Sequence, residues 1–258
     1  MNSPTQRFSS RVENYVKYRP TYPREVIELL ERNCGLTPDS VVADLGSGTG
    51  FLTQLFLEFG CRVFGVEPNK EMREAGEHFL RDYLHLESDG DERNGFISLN
   101  GTAEATSLPD RSVDFIVAGQ SFHWFNVNEA RREFRRILQP RGWVALIWNA
   151  RQIDTSPFLR AYENLLLAYC AEYNEVAARY ADTTGLEIDF KYATFENAQY
   201  FDFDGLKGRL LSSSYAPEES HPNHSLMLDE LRRIFDAHQT NGTVAFLYTT
   251  EVFYGRIQ

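Results

Sequence analysis

The stretch VVADLGSGTG at 41–50 decides how the rest of the chain is read. VVADL is a short apolar run, which reads as a strand buried on both faces of a parallel sheet. A glycine cluster follows at Gly46, Gly48 and Gly50. FLTQLFLEFG comes next, with Leu52, Leu55, Phe56 and Phe59 at helical spacing and Gly60 as a stop. Strand, glycine turn and helix in that order are the context in which such turns bind ligands. Glycine permits the tight turn and lets a ligand approach the backbone.

Outward from this point the pattern repeats. CRVFGVE at 61–67 reads as a second strand and NKEMREAGEHFL as a helix. The polar stretch 84–95 reads as a surface loop. FISLNG at 96–101 and SVDFIVAG at 112–119 are the next strands, NEARREFRRIL a helix, and GWVALIW at 142–148 a fifth strand. Strands alternating with helices specify an α/β fold, a Rossmann-like, doubly wound, mostly parallel sheet. The rhythm then changes. Residues 156–180 read as helical, KYATFENAQYFDF at 191–203 as a strand, GLKGRLLSSS and SLMLDELRRIFDAH as helices, and TVAFLYTTEVFYGRI as a closing strand. We expect one domain over 1–258. Its parts are a cofactor-binding core at 35–150, a helical insertion at 151–225 able to roof the site, and a C-terminal helix and strand at 226–258.

The bulk properties narrow the function. The chain has 258 residues, 42% of them hydrophobic and 24% charged, which are ordinary globular values. A net charge of −11 argues against a nucleic-acid partner, because replacing phosphate counterions needs clustered Lys and Arg. RREFRR at 131–136 is the candidate basic patch, and with Phe134, Ile137 and Leu138 on one helical face it reads as a solvated face. Cys34, Cys61 and Cys170 lie far apart, so neither a metal site nor a disulfide framework is expected. The sequence MNSPTQRFSSRVENY lacks an apolar signal core, and no run approaches the ~18 apolar residues of a membrane helix. A cytoplasmic enzyme with no membrane attachment and no obligate protein partner is the expectation.

The spacing of the turn separates two kinds of ligand. A dinucleotide turn reads GxGxxG, whereas this one reads GxGxG, with Phe51 where the third glycine would fall. Asp44 stands just before the turn. A carboxylate there suits a cationic group better than a pyrophosphate. S-adenosylmethionine offers an α-ammonium and a sulfonium; NAD presents phosphates at this turn. Glu67, at the end of the second strand, can accept hydrogen bonds from ribose hydroxyls.

These residues resemble those of the class I S-adenosylmethionine-dependent methyltransferases. VVADLGSGTG, GVEPNKEM, GTAEATSLPDRSVDFIVAGQSFHWF and ILQPRGWVALI carry the resemblance over about residues 35–150. NYVKYRPTYP and QSFHWF further resemble the trans-aconitate methyltransferase-like branch, whose members act on small molecules. The resemblance implies the antiparallel last strand and a cofactor site. Asp44, Gly46, Ser47, Gly48 and Gly50 would hold the methionine portion, Glu67 and Pro68 the ribose, and Met72 would pack near the adenine. Thr102, Ala103 and Glu104 would form the adenine loop, with Tyr15 and Gln120 completing the site. Many members carry an acid where this chain has Thr102, so its hydroxyl or the Ala103 backbone would take over that contact.

On the acceptor side, His123 is the candidate catalytic group: a base, a donor to a substrate anion, or a packed histidine. Arg19, Tyr22, Trp124, Trp148 and Tyr215 are the candidate acceptor contacts. Arg19 could form bidentate bonds to a carboxylate. Trp148 ends the fifth strand, where ligand crevices open in such sheets. The expected activity is methyl transfer to a small molecule, with a carboxylate as one candidate. A binding protein without transfer activity and a nucleotide-dependent oxidoreductase are the alternatives.

Overall fold

The computed structural model describes residues 12–83, 95–173 and 186–257. The order of elements is α1 (Val12–Tyr18), α2 (Glu25–Cys34), β1 (Val41–Leu45), α3 (Phe51–Phe59), β2 (Arg62–Val66), α4 (Lys70–Phe79), β3 (Gly95–Leu99), β4 (Val113–Gly119), α5 (Val127–Ile137), β5 (Leu138–Arg151), α6 (Pro157–Tyr169), β6 (Lys191–Phe201), α7 (Phe203–Leu211), α8 (Asn223–His238) and β7 (Val244–Gly255). One seven-stranded sheet runs β3-β2-β1-β4-β5-β7-β6. The pairs β1–β2, β1–β4, β2–β3 and β4–β5 are parallel, and β7 lies antiparallel between β5 and β6. This is the Rossmann-like α/β sheet that the alternation of strands and helices specified.

Burial explains the strand patterns. Central β1 is buried from Val42 to Leu45, so its sequence is apolar throughout apart from Asp44. The edge strand β6 alternates between exposed and half-buried residues, and its sequence alternates with it. The helices start and stop where the sequence has capping residues. Asn69 caps α4 by accepting the Met72 N–H at 2.9 Å, and Ser156 caps α6 by accepting that of Leu159 at 3.1 Å. Asp202 does the same for α7 from Gly205 at 2.8 Å. Gly60, at φ 110°, closes α3.

The stretch 151–225 contains β6, the strand expected at 191–203, which is hydrogen-bonded to β7 along its length. β5 begins at Leu138 rather than 142, because Leu138 pairs with Val113 before the register shifts and resumes at Phe115 and Trp143. A helix, α1, precedes α2 and carries Tyr15 and Tyr18. The side chain of Tyr15, the loop at 84–94 and the segment 174–185 lie outside the described residues. Three of the four arginines of 131–136 are paired with acids: Arg131 and Arg135 with Glu187, and Arg136 with Glu133 and Asp110. Among the described residues, no helix is long and apolar enough to cross a membrane.

Candidate active site

The carboxyl ends of β1 and β4 face two joined cavities of about 300 and 320 Å³. Gly46, Gly48, Gly119, Gln120 and Trp124 line both. Glu67, Pro68, Met72, Thr102, Ala103 and Glu104 belong to one cavity alone. Asp44, Ser47, Arg19, Tyr22, His123 and Tyr215 belong to the other. Residues distant in sequence thus meet along one crevice, where strand order reverses on either side of β1.

The glycine turn is held by the protein as well as shaped for a ligand. Gly46, Gly48 and Gly50 all have positive φ. A Cβ on Gly46 would stand 2.6 Å from the Ser121 Cβ, and one on Gly50 would stand 2.6 Å from the Leu80 Cδ1. Those two glycines are demanded by packing. A Cβ on Gly48 would meet only the end of Met72, at 3.4 Å, and Gly48 lines both cavities. That glycine keeps space open on the ligand side. Gly50 itself lines neither cavity.

Two carboxylates anchor the crevice. Asp44 is 1% exposed; its Oδ2 accepts from the Thr53 hydroxyl at 2.7 Å, and its Oδ1 is buried with no partner. Burial pushes its carboxyl up to about 7, against the Thr53 hydrogen bond and helped by nearby Glu67. Glu67 accepts the N–H of Gly48 at 3.0 Å and of Asn69 at 2.8 Å, and burial raises its pKa as well. The loop at 102–105 is a tight turn, with Thr102 and Ala105 exchanging backbone hydrogen bonds. Glu104 accepts the Asn126 N–H at 2.8 Å, so this acid also fixes the start of α5. Gln120 sits at φ 57°, a strained backbone for a residue with a side chain, and its buried Oε1 has no partner while its amide nitrogen donates to the Asn149 carbonyl.

The second cavity gathers the acceptor-side candidates. His123 lies on the turn after β4, its ring 4.8 Å from that of Trp124. Arg19 donates to the Ser212 carbonyl at 3.0 Å, which ties the N-terminal segment to the roof. Tyr22 packs on Gly119, where a Cβ would meet its hydroxyl at 2.5 Å. Tyr215 stacks edge-on with Tyr173. Trp148 is different. It is 1% exposed, packs between Phe122 and Phe253, and lines neither cavity. Side chains alternate along a strand, so the neighbouring Asn149 reaches the cavity and Trp148 reaches the core.

Sequence reasoning missed Asn149, Arg151 and Arg209, all of which line the second cavity. Asn149 could not be chosen over Trp148, because β5 is buried on both faces and its apolar run does not display which face meets the cavity. Nor could the arginines be found, since only the fold brings α7 and the end of β5 together. Arg151 is paired with Glu163 and donates to the Tyr173 hydroxyl at 2.9 Å.

The donor set fits S-adenosylmethionine: Asp44 offers an unpartnered carboxylate oxygen to a cation, Gly48 leaves room at the backbone, and Glu67 retains acceptor capacity. Residues 43–146 match the model of the methyltransferase domain family. An uncharacterized methyltransferase-like protein of Schizosaccharomyces pombe is 24% identical over 95% of this chain and 93% of its own length. An uncharacterized methyltransferase of Mycobacterium tuberculosis is 37% identical over 56% of this chain and 52% of its own. A solved structure from Anaeromyxobacter dehalogenans, proposed to be a type II methyltransferase, superposes with a TM-score of 0.65 at 20% identity, covering 93% of this chain and 98% of that one. Residues 43–146 are accordingly a methyltransferase domain of the class I fold, and the chain is an enzyme that uses S-adenosylmethionine.

Proposed function

We propose that the enzyme methylates a small polar acceptor held in the cavity lined by His123, Arg19 and Tyr215. The observation that carries this reading is the junction of the two cavities at Gly46, Gly48, Gly119, Gln120 and Trp124. One cavity has the acids and apolar surface suited to an adenosine, and the other is enclosed by residues from the segment after α1, from α7 and from the segment after β5. The resemblance of NYVKYRPTYP and QSFHWF to the trans-aconitate methyltransferase-like branch supports a small acidic acceptor.

When bound, S-adenosylmethionine supplies a sulfonium methyl, which passes to the acceptor nucleophile and leaves S-adenosylhomocysteine. The residues then act mainly by position and exclusion of water. Asp44 takes the α-ammonium, Glu67 the ribose hydroxyls, and Met72 with the Thr102–Glu104 turn the adenine. Trp124 separates the cofactor side from the acceptor side. A carboxylate acceptor needs no base, and His123 then donates to it; a hydroxyl acceptor would use His123 as base.

The test is a screen of small acids, phenols and amines, with RNA as a control, for S-adenosylhomocysteine release by the purified enzyme. Turnover with small acids supports the reading, and turnover confined to RNA or protein overturns it.

A further inference from the structure

Arg209, on α7, is 6% exposed and lines the acceptor cavity. Its Nε donates to the Tyr248 hydroxyl at 3.0 Å and its Nη1 to the Ser213 hydroxyl at 3.2 Å. Its guanidinium lies 5.3 Å from the centre of the Phe246 ring and 6.0 Å from that of Tyr248. The Tyr248 hydroxyl in turn donates to Gln199 Oε1 at 2.9 Å. All these partners are neutral. No carboxylate among the described residues lies within ion-pair distance of Arg209.

The neighbouring arginine shows what is missing. Arg151, in the same cavity and against the same Phe246 ring, is balanced by Glu163. A buried guanidinium keeps its charge, and a buried charge without a counterion is costly. The buried Tyr162 hydroxyl, electrostatically coupled to both arginines, also lacks a hydrogen-bond partner. The fold has gone to some length to hold Arg209 here. Gly208 next to it lies so close to the Tyr18 ring that a Cβ would overlap it at 2.0 Å, and that approach packs α7 on α1.

We infer that Arg209 is the specificity-determining residue that anchors a carboxylate of the acceptor. The inference rests on the proposed acceptor cavity. A carboxylate supplies the single negative charge that one uncompensated guanidinium lacks, and its two oxygens match the planar donor fork. A phosphate ester would bring up to two charges to this one unbalanced cation. Arg209 acts in binding and orientation and takes no part in bond making.

The test uses the enzyme saturated with S-adenosylhomocysteine and titrated calorimetrically with aliphatic mono-, di- and tricarboxylates and benzoates, each beside its primary amide. The expected result is a carboxylate that binds at least about tenfold more tightly than its amide. Arg209→Gln should bring that carboxylate to the amide's affinity, Arg209→Lys should keep part of the difference, and S-adenosylhomocysteine affinity should stay within about twofold. A packing role alone would not discriminate acid from amide. If Arg209→Gln fails to fold, the comparison on the unaltered enzyme and on Arg209→Lys decides. No preference for any carboxylate, binding of phosphate esters in their place, or undiminished preference in Arg209→Gln would overturn the inference. Failure of the unaltered enzyme to bind S-adenosylhomocysteine would instead overturn the cofactor site on which it rests.

Discussion

The carboxylate of Glu67 accepts the backbone N–H of Gly48 at 3.0 Å, so the acid ending β2 holds the glycine turn that follows β1. Its second oxygen accepts from Asn69 at 2.8 Å, at the cap of α4. One side chain therefore joins the turn, the second strand and the helix beside the cofactor crevice. Glu67→Gln replaces one acceptor with a donor that faces a backbone N–H. We expect a loss of about 1–3 kcal/mol in S-adenosylhomocysteine affinity, with a lowered melting temperature of the ligand-free enzyme. Calorimetry and thermal melts check both; equal affinities would remove Glu67 from the site.

Gly48 and Gly46 should respond differently to substitution. Gly48→Val fills the open side of the turn and should abolish cofactor binding; its Cβ meets only the flexible end of Met72, so its cost to stability is the strain of a β-branched residue at φ 57°. Gly46→Ala drives its Cβ into Ser121, so it should lower stability along with binding. Circular dichroism melts run beside cofactor titrations separate the two. Undiminished binding by Gly48→Val would contradict the open-side reading.

Asp44 sets a pH dependence. Burial holds its folded pKa at about 7, above the usual carboxyl value of 3.8. Between those values the folded enzyme holds the proton more tightly than the unfolded chain, so this group's contribution to stability falls as pH rises through that window and is flat above it. A bound α-ammonium favours the ionised form. S-adenosylhomocysteine affinity should therefore rise with pH, by up to about tenfold per unit below 7, and level off above. Asp44→Asn should weaken binding at pH 8 and flatten the profile. A flat profile in the unaltered enzyme would count against an Asp44–ammonium contact.

For a carboxylate acceptor, His123→Ala should raise the acceptor KM and leave the pH profile of kcat unchanged in shape. Steady-state kinetics across pH decide the matter. A depressed kcat with a lost pH step would make His123 a general base, and unchanged constants would make it a packing residue.

Trp148→Ala should cost about 3–5 kcal/mol of stability, as expected for a fully buried aromatic, without a selective change in acceptor KM. Asn149→Ala should do the reverse in emphasis. Its side-chain amide donates to the Thr21 carbonyl at 3.2 Å and its side-chain oxygen accepts from the Thr250 hydroxyl at 2.6 Å, which holds the segment of Tyr22 against β5, so its loss should disturb acceptor kinetics more than the Trp148 change does at equal stability. Denaturant titration with acceptor kinetics on both variants tests the assignment.

The sequence alone determined the sheet and the cofactor half of the site. VVADL, the GxGxG turn and the acid at Glu67 are local signals, because a buried parallel strand must be apolar and a tight turn must be glycine. The same local logic marked Gly60 as the stop of α3. Tertiary structure decided the acceptor half. Whether Trp148 or Asn149 faces the cavity depends on which face of β5 is covered, a parity that an apolar run does not display. That Gly46 is closed in by packing while Gly48 stays open toward the crevice depends on Ser121, 75 positions from Gly46. That Arg151 has a counterion while the partners of Arg209 among the described residues are neutral follows from where α6 and α7 come to rest. A charge's cost depends on the groups the fold brings round it, and sequence spacing does not encode that neighbourhood.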